Sequence, residues 1–123
     1  MILTFDFTSD VPLYLQIRNQ IVIGIAEGRL TAGEKLPTVR ALAEESGINM
    51  MTVSKAYNLL KQEGYITTDR RKGAAVASPT GQPQVKPETI DGLRLHLSEL
   101  RLAGMSKDDV TALLERLCKE AGL

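Results

Sequence analysis

Residues 36–64, LPTVRALAEESGINMMTVSKAYNLLKQEG, constrain the fold more than any other part of the chain. Thr38 can cap a short helix with an inner face of Val39, Leu42 and Ala43, because its hydroxyl accepts from an N–H that a helix start leaves unpaired. Gly47 ends that helix, and Asn49, a second N-cap type, opens the next after a turn of about four residues. So short a Gly-containing connection is a helix-turn-helix pattern, although many αα-hairpins share it. On the second helix Val53, Ala56, Tyr57 and Leu60 form one apolar face. Met51 points almost directly away from that face, beside Ser54, Lys55, Asn58 and Gln62, and Met50 lies near its edge. An exposed methionine either packs on something or reads something.

The flanking segments narrow the choice. In TSDVPLYLQIRNQIVIGIAEGRL, Ser9 and Asp10 before Pro12 suggest an N-cap followed by an early helical proline. Ile17, Ile21 and Ile25 then recur every fourth residue until Gly28, which marks a first helix. TAGEKLPT reads as a loop. Beyond Gly64, Tyr65, Ile66 and Thr67 favour a strand and Ala74–Ala77 an antiparallel return, weak by propensity because its residues are small. Asp69, Arg70, Arg71, Lys72 and Gly73 form the hairpin tip. Three helices followed by a basic hairpin is a winged-helix order, a mainly α fold with a small β-hairpin. It is expected over residues 1–78, with a proline-rich linker over 79–87.

Residues 88–123 carry two further helices. Ile90, Leu93, Leu97 and Leu100 make one stripe, with Leu95 and Leu102 nearly opposite it. Ser106 and Asp109 resemble a capping box. Val110, Leu113, Leu114, Leu117 and Cys118 form the stripe of the last helix. A helix that is apolar on two sides needs two neighbours. A second copy of the chain is the economical cover, through Ile90, Leu93, Leu97, Leu100, Leu113 and Leu117, although docking on the first helix would also serve.

Composition excludes several classes. At 43% hydrophobic residues the 123-residue chain can bury a core, mostly aliphatic because aromatics are 4%. No apolar run approaches the ~18 residues of a membrane span, and the one cysteine suits a reducing compartment, so a cytoplasmic protein is expected. Cys118 is expected in the core. His96, the one histidine, has no companions at metal-ligand spacing, and neither GxxxxGK nor GxGxxG occurs. No enzyme, cofactor or metal site is expected. Net charge is zero, but within residues 50–73 Lys55, Lys61, Arg70, Arg71 and Lys72 face only Glu63 and Asp69. The excess is local, beside the Met51 helix.

PLYLQI, IAEGRLTAGEKLPTVRALAEESGIN, TVSKAYNLLKQEGYI and the KG of the hairpin, in order and correctly spaced, resemble the GntR family of bacterial transcription regulators. The short two-helix tail looks like the YtrA subfamily, in which it chiefly makes the dimer. The resemblance implies that Thr38 caps the second helix against a phosphate and that Arg40 contacts the backbone or a guanine. It places Asn49, Met50, Met51, Thr52 and Ser54, with Lys55 beside them, at the groove-facing front, and Arg70, Arg71, Lys72 and Gly73 in the wing. The family often has Arg or Pro at Met50, Asn or Thr at Met51, and Gly at Arg71. These departures bear on the operator sequence.

A thioether cannot make a bidentate base contact but can pack on a thymine methyl. Met51 is therefore expected to face DNA and Met50 to pack at the core rim. The leading reading is a dimeric repressor on a palindromic double-stranded operator. A winged-helix protein-interaction module and a regulator whose tail binds an unknown small-molecule effector are the alternatives.

Overall fold

The computed structural model describes residues 1–78 and 85–123 and divides into two compact units, Met1–Pro79 and Thr80–Leu123. The first contains α1 (Leu13–Ala26), α2 (Val39–Ser46), α3 (Met50–Gln62), β1 (Ile66–Asp69) and β2 (Gly73–Val76). Ile17 and Ile21 of α1 are fully buried against Val53, Ala56, Tyr57 and Leu60 of α3, with Leu42, Ile66 and Val76 in the same cluster. Ile25 packs at its edge.

The start of α1 departs from expectation. Pro12, in extended conformation, occupies the N-cap position, and Ser9 Oγ instead accepts from the Val11 N–H. The Gln16 carboxamide folds back, accepting from the Asp6 N–H and donating to the carbonyls of Asp6 and Val11. Gln20 grips the backbone of Thr4 in the same way. Two glutamine side chains thus substitute for a strand partner and draw the N-terminal segment along α1, where Leu3 and Phe5 cover the core.

TAGEKLPT is more than a loop. Lys35 pairs with Ala75 in an isolated bridge. The Leu36 N–H donates to the Ala74 carbonyl and the Val76 N–H to the Glu34 carbonyl, at 2.8 and 2.9 Å. On its other edge β2 pairs antiparallel with β1, from Ile66 opposite Val76 to Asp69 opposite Gly73. The hairpin that propensity leaves weak is therefore held on both sides of β2. Ala74 and Val76 alternate into the core.

Tyr57 ties α3 to the segment before α2. Its hydroxyl donates to the Pro37 carbonyl at 2.7 Å, and burial pushes its pKa up to about 12.

In the second unit, α4 (Pro87–Leu102) and α5 (Lys107–Glu120) are joined by a short turn. Residues 79–84 of the expected linker lie outside the described residues, and Pro87 is the first residue of α4. The capping box is present. Ser106 Oγ accepts from the Asp109 N–H and Asp109 Oδ2 from the Ser106 N–H, which holds the Asp109 carboxyl below its ordinary pKa. No residue of either helix is buried. Cys118 is exposed, which corrects its expected core position, because α5 has one neighbouring helix within its unit.

Replacing Tyr57 with Phe should cost about 1 kcal/mol by leaving the Pro37 carbonyl unpaired. The wild-type phenol is more easily ionised unfolded, near pH 10, than folded, near pH 12, so its contribution is complete below pH 10 and lost as pH rises toward 12. Urea unfolding across that window should show a smaller decline for Tyr57→Phe than for the wild type.

Candidate nucleic-acid interface

Two capped helices and one corner build the candidate interface. Thr38 Oγ1 accepts from the Ala41 N–H at 3.0 Å and fixes the start of α2, placing Arg40 exposed in its first turn. The amide dipoles there give a positive helix end, suited to a phosphate oxygen. Gly47 closes α2 with φ of +67°, a left-handed conformation that an L side chain adopts only under strain. Both Gly47 and Ile48 then donate to the Ala43 carbonyl. This closure delivers Ile48 into the core as the apolar anchor of the corner. Ile48 lies outside both helical periods and so carries no periodic signal, although an apolar residue directly after a C-terminal glycine is the signature of such an anchor.

Asn49 Oδ1 accepts from the Met51 N–H at 2.7 Å, and the Asn49 carbonyl accepts from Thr52 and Val53 as α3 begins. With Val53, Ala56, Tyr57 and Leu60 buried, the opposite face is forced outward. Met51 is 80% exposed and Met50 46%, so Met50 keeps about half of its side chain in solvent where a core-rim contact was expected. Lys55 and Asn58 are exposed, and Thr52 and Ser54 half-buried. The Lys55 ammonium lies 4.1 Å from the centre of the Tyr14 ring, a cation–π contact between α3 and the first turn of α1.

A second link fixes how α3 lies on α1. Arg18 donates through Nε and Nη2 to both carboxylate oxygens of Glu63, each at 2.8 Å, and its guanidinium also lies 5.6 Å from the centre of the Tyr65 ring. The Glu63 hydrogen bonds raise the Arg18 pKa further. Arg18 carries no signal in helical periodicity, since its partner is 45 residues away.

At the wing, Arg70, Arg71 and Lys72 are exposed, and Asp69 Oδ1 accepts from the Arg71 N–H at 2.7 Å to shape the turn. Gly73 takes the left-handed backbone at φ +78°, and no described residue other than glycine does so. Arg71 therefore stands outside the left-handed region, without backbone strain. Gly73 is half-buried and serves the turn, whereas the cationic side chains precede it.

These features define a winged helix-turn-helix. Residues 13–76 match the family model described as "Bacterial regulatory proteins, gntR family". The chain is 33% identical over 102 residues to the uncharacterized HTH-type transcriptional regulator YhcF of Bacillus subtilis, covering 83% of this chain and 78% of that one. A structure of a transcriptional antiterminator from Listeria monocytogenes superposes with a TM-score of 0.81 at 29% identity, covering 98% of this chain and 92% of that one. YtrA from Sulfolobus acidocaldarius, a GntR-family transcription factor, gives 0.60 at 37% identity, with 98% and 100% coverage. The DNA-binding domain of AraR, solved with operator ORX1, gives 0.55 at 25%, covering 63% of this chain and 96% of that domain. The chain belongs to the gntR family, with a YtrA-like architecture, and is a DNA-binding transcription regulator.

Proposed function

We propose that the protein is a homodimeric repressor that binds a palindromic operator in the cytoplasm. The observation that carries this reading is the two-faced α3, locked into the core on one side and projecting Met51, Lys55 and Asn58 on the other. Arg40 and the wing cations Arg70, Arg71 and Lys72 are exposed within the same unit, where each can neutralise a phosphate and release counterions. Zero net charge is compatible with this role, because the contacts are local. Likeness to a domain solved on its operator supports the DNA partner. Among the described residues no helix is long and apolar enough to cross a membrane.

The tail supplies the dimer in this reading. Ile90, Leu93, Leu97 and Leu117 stay exposed on α4 and α5, while Leu100 and Leu113 are half-buried. A second copy covering them would give two-fold symmetry, which a palindrome mirrors.

Two measurements test these roles. Lys72→Ala should weaken binding to all duplexes and reduce the salt slope by roughly one unit, as for a lost phosphate contact. Arg40→Ala should do the same, or also relax one base position by about 1–3 kcal/mol if the guanidinium reads guanine. Undiminished binding by the double variant would remove both from the interface. Leu97→Glu would bury an unpaired charge between copies and should give monomers by light scattering. A persisting dimer would place the interface elsewhere.

A further inference from the structure

Resting on the DNA-binding reading above, we infer that α3 reads its operator through an apolar contact, with Met51 packed on a thymine C5-methyl group. The half-site then carries thymine at that position.

The inventory of α3 leads there. Its sequence, MMTVSKAYNLLKQ, contains no Arg, Glu or Asp, so the arginine fork for guanine and the acidic cytosine reader are both missing, and Asn58, an adenine-reading type, lies in the second half of the helix rather than on its first turn. Asn49, an adenine reader elsewhere, has its side-chain oxygen committed to the Met51 N–H. The Lys55 ammonium is held over the Tyr14 ring. Thr52 and Ser54 offer short, half-buried hydroxyls. Met51, on the first turn, is 80% exposed.

Its surroundings suit the same partner. An open recess of about 670 Å³ lies between the start of α1 and α3, lined by Pro12, Leu13, Tyr14, Met51, Lys55 and Asn58. A flexible, polarisable thioether beside an apolar wall adapts to a methyl-bearing base edge, and the adjacent Lys55 favours a polyanion over an apolar peptide. Thymine is the base that presents a methyl in the major groove.

The test uses the full chain and the tightest duplex it selects from a random pool. Each thymine is replaced in turn by uracil, which removes only the methyl, and dissociation constants are measured at fixed salt for wild type, Met51→Ala and Met51→Leu. At one position uracil should weaken wild-type binding about fivefold, the scale of a mild mismatch. Met51→Ala should lose a similar factor, show no further loss with uracil there, and melt at the wild-type temperature. Met51→Leu should retain affinity and the uracil effect.

Wild-type affinity for Met51→Ala, or uracil sensitivity unchanged in that variant, would overturn the inference while leaving DNA binding intact. Failure to enrich any duplex would overturn the DNA-binding reading itself, and this inference with it.

Discussion

Everything in the winged helix depends on the packing of α3 across α1. Val53, Ala56, Tyr57 and Leu60 lie against Ile17 and Ile21. Burying a large aliphatic or aromatic side chain is worth about 1.5–3 kcal/mol, against roughly 1 kcal/mol for a partly exposed ion pair such as Arg18–Glu63. Apolar burial therefore supplies most of the stability. The ion pair contributes direction, because a bidentate guanidinium–carboxylate contact restricts the placement of both partners. Once α3 is fixed this way, its outer face has no choice of residues.

The corner and the wing serve that placement. Gly47 allows the left-handed turn, Ile48 anchors it in the core, and the caps at Thr38 and Asn49 set where each helix begins. The wing is held at its base by pairing on both edges of β2, and its cationic tip is exposed. Asp69 shapes that tip by holding the Arg71 amide, so the nearby acidic residue has a structural use.

Local order in the chain made the helices and their caps legible. Spacing of three and four residues announced the buried faces of α1, α2 and α3, and the residue types at Thr38, Asn49 and Ser106 announced their caps. Long-range pairs carry no such period. Gln16 and Gln20 gripping the N-terminal backbone, residues 34–36 pairing with β2, and Arg18 meeting Glu63 all depend on the assembled fold. Ser9 and Asp10 were misleading for a related reason, since the carboxamide of Gln16 determines the path of the chain there. The outward face of α3 follows from its buried face, whereas the exposure of Cys118 does not follow from its stripe, because a stripe shows that a face is apolar and not that anything covers it.

In the proposed function labour is divided: the winged helix meets DNA through the starts of α2 and α3 and the wing tip, while α4 and α5 serve assembly. Backbone amide resonances followed during titration with a selected duplex test this most directly. The largest shifts should fall at residues 38–40, 49–55 and 70–73, with α4 and α5 nearly unmoved. Shifts centred on α4 and α5, with the α3 front unchanged, would contradict it.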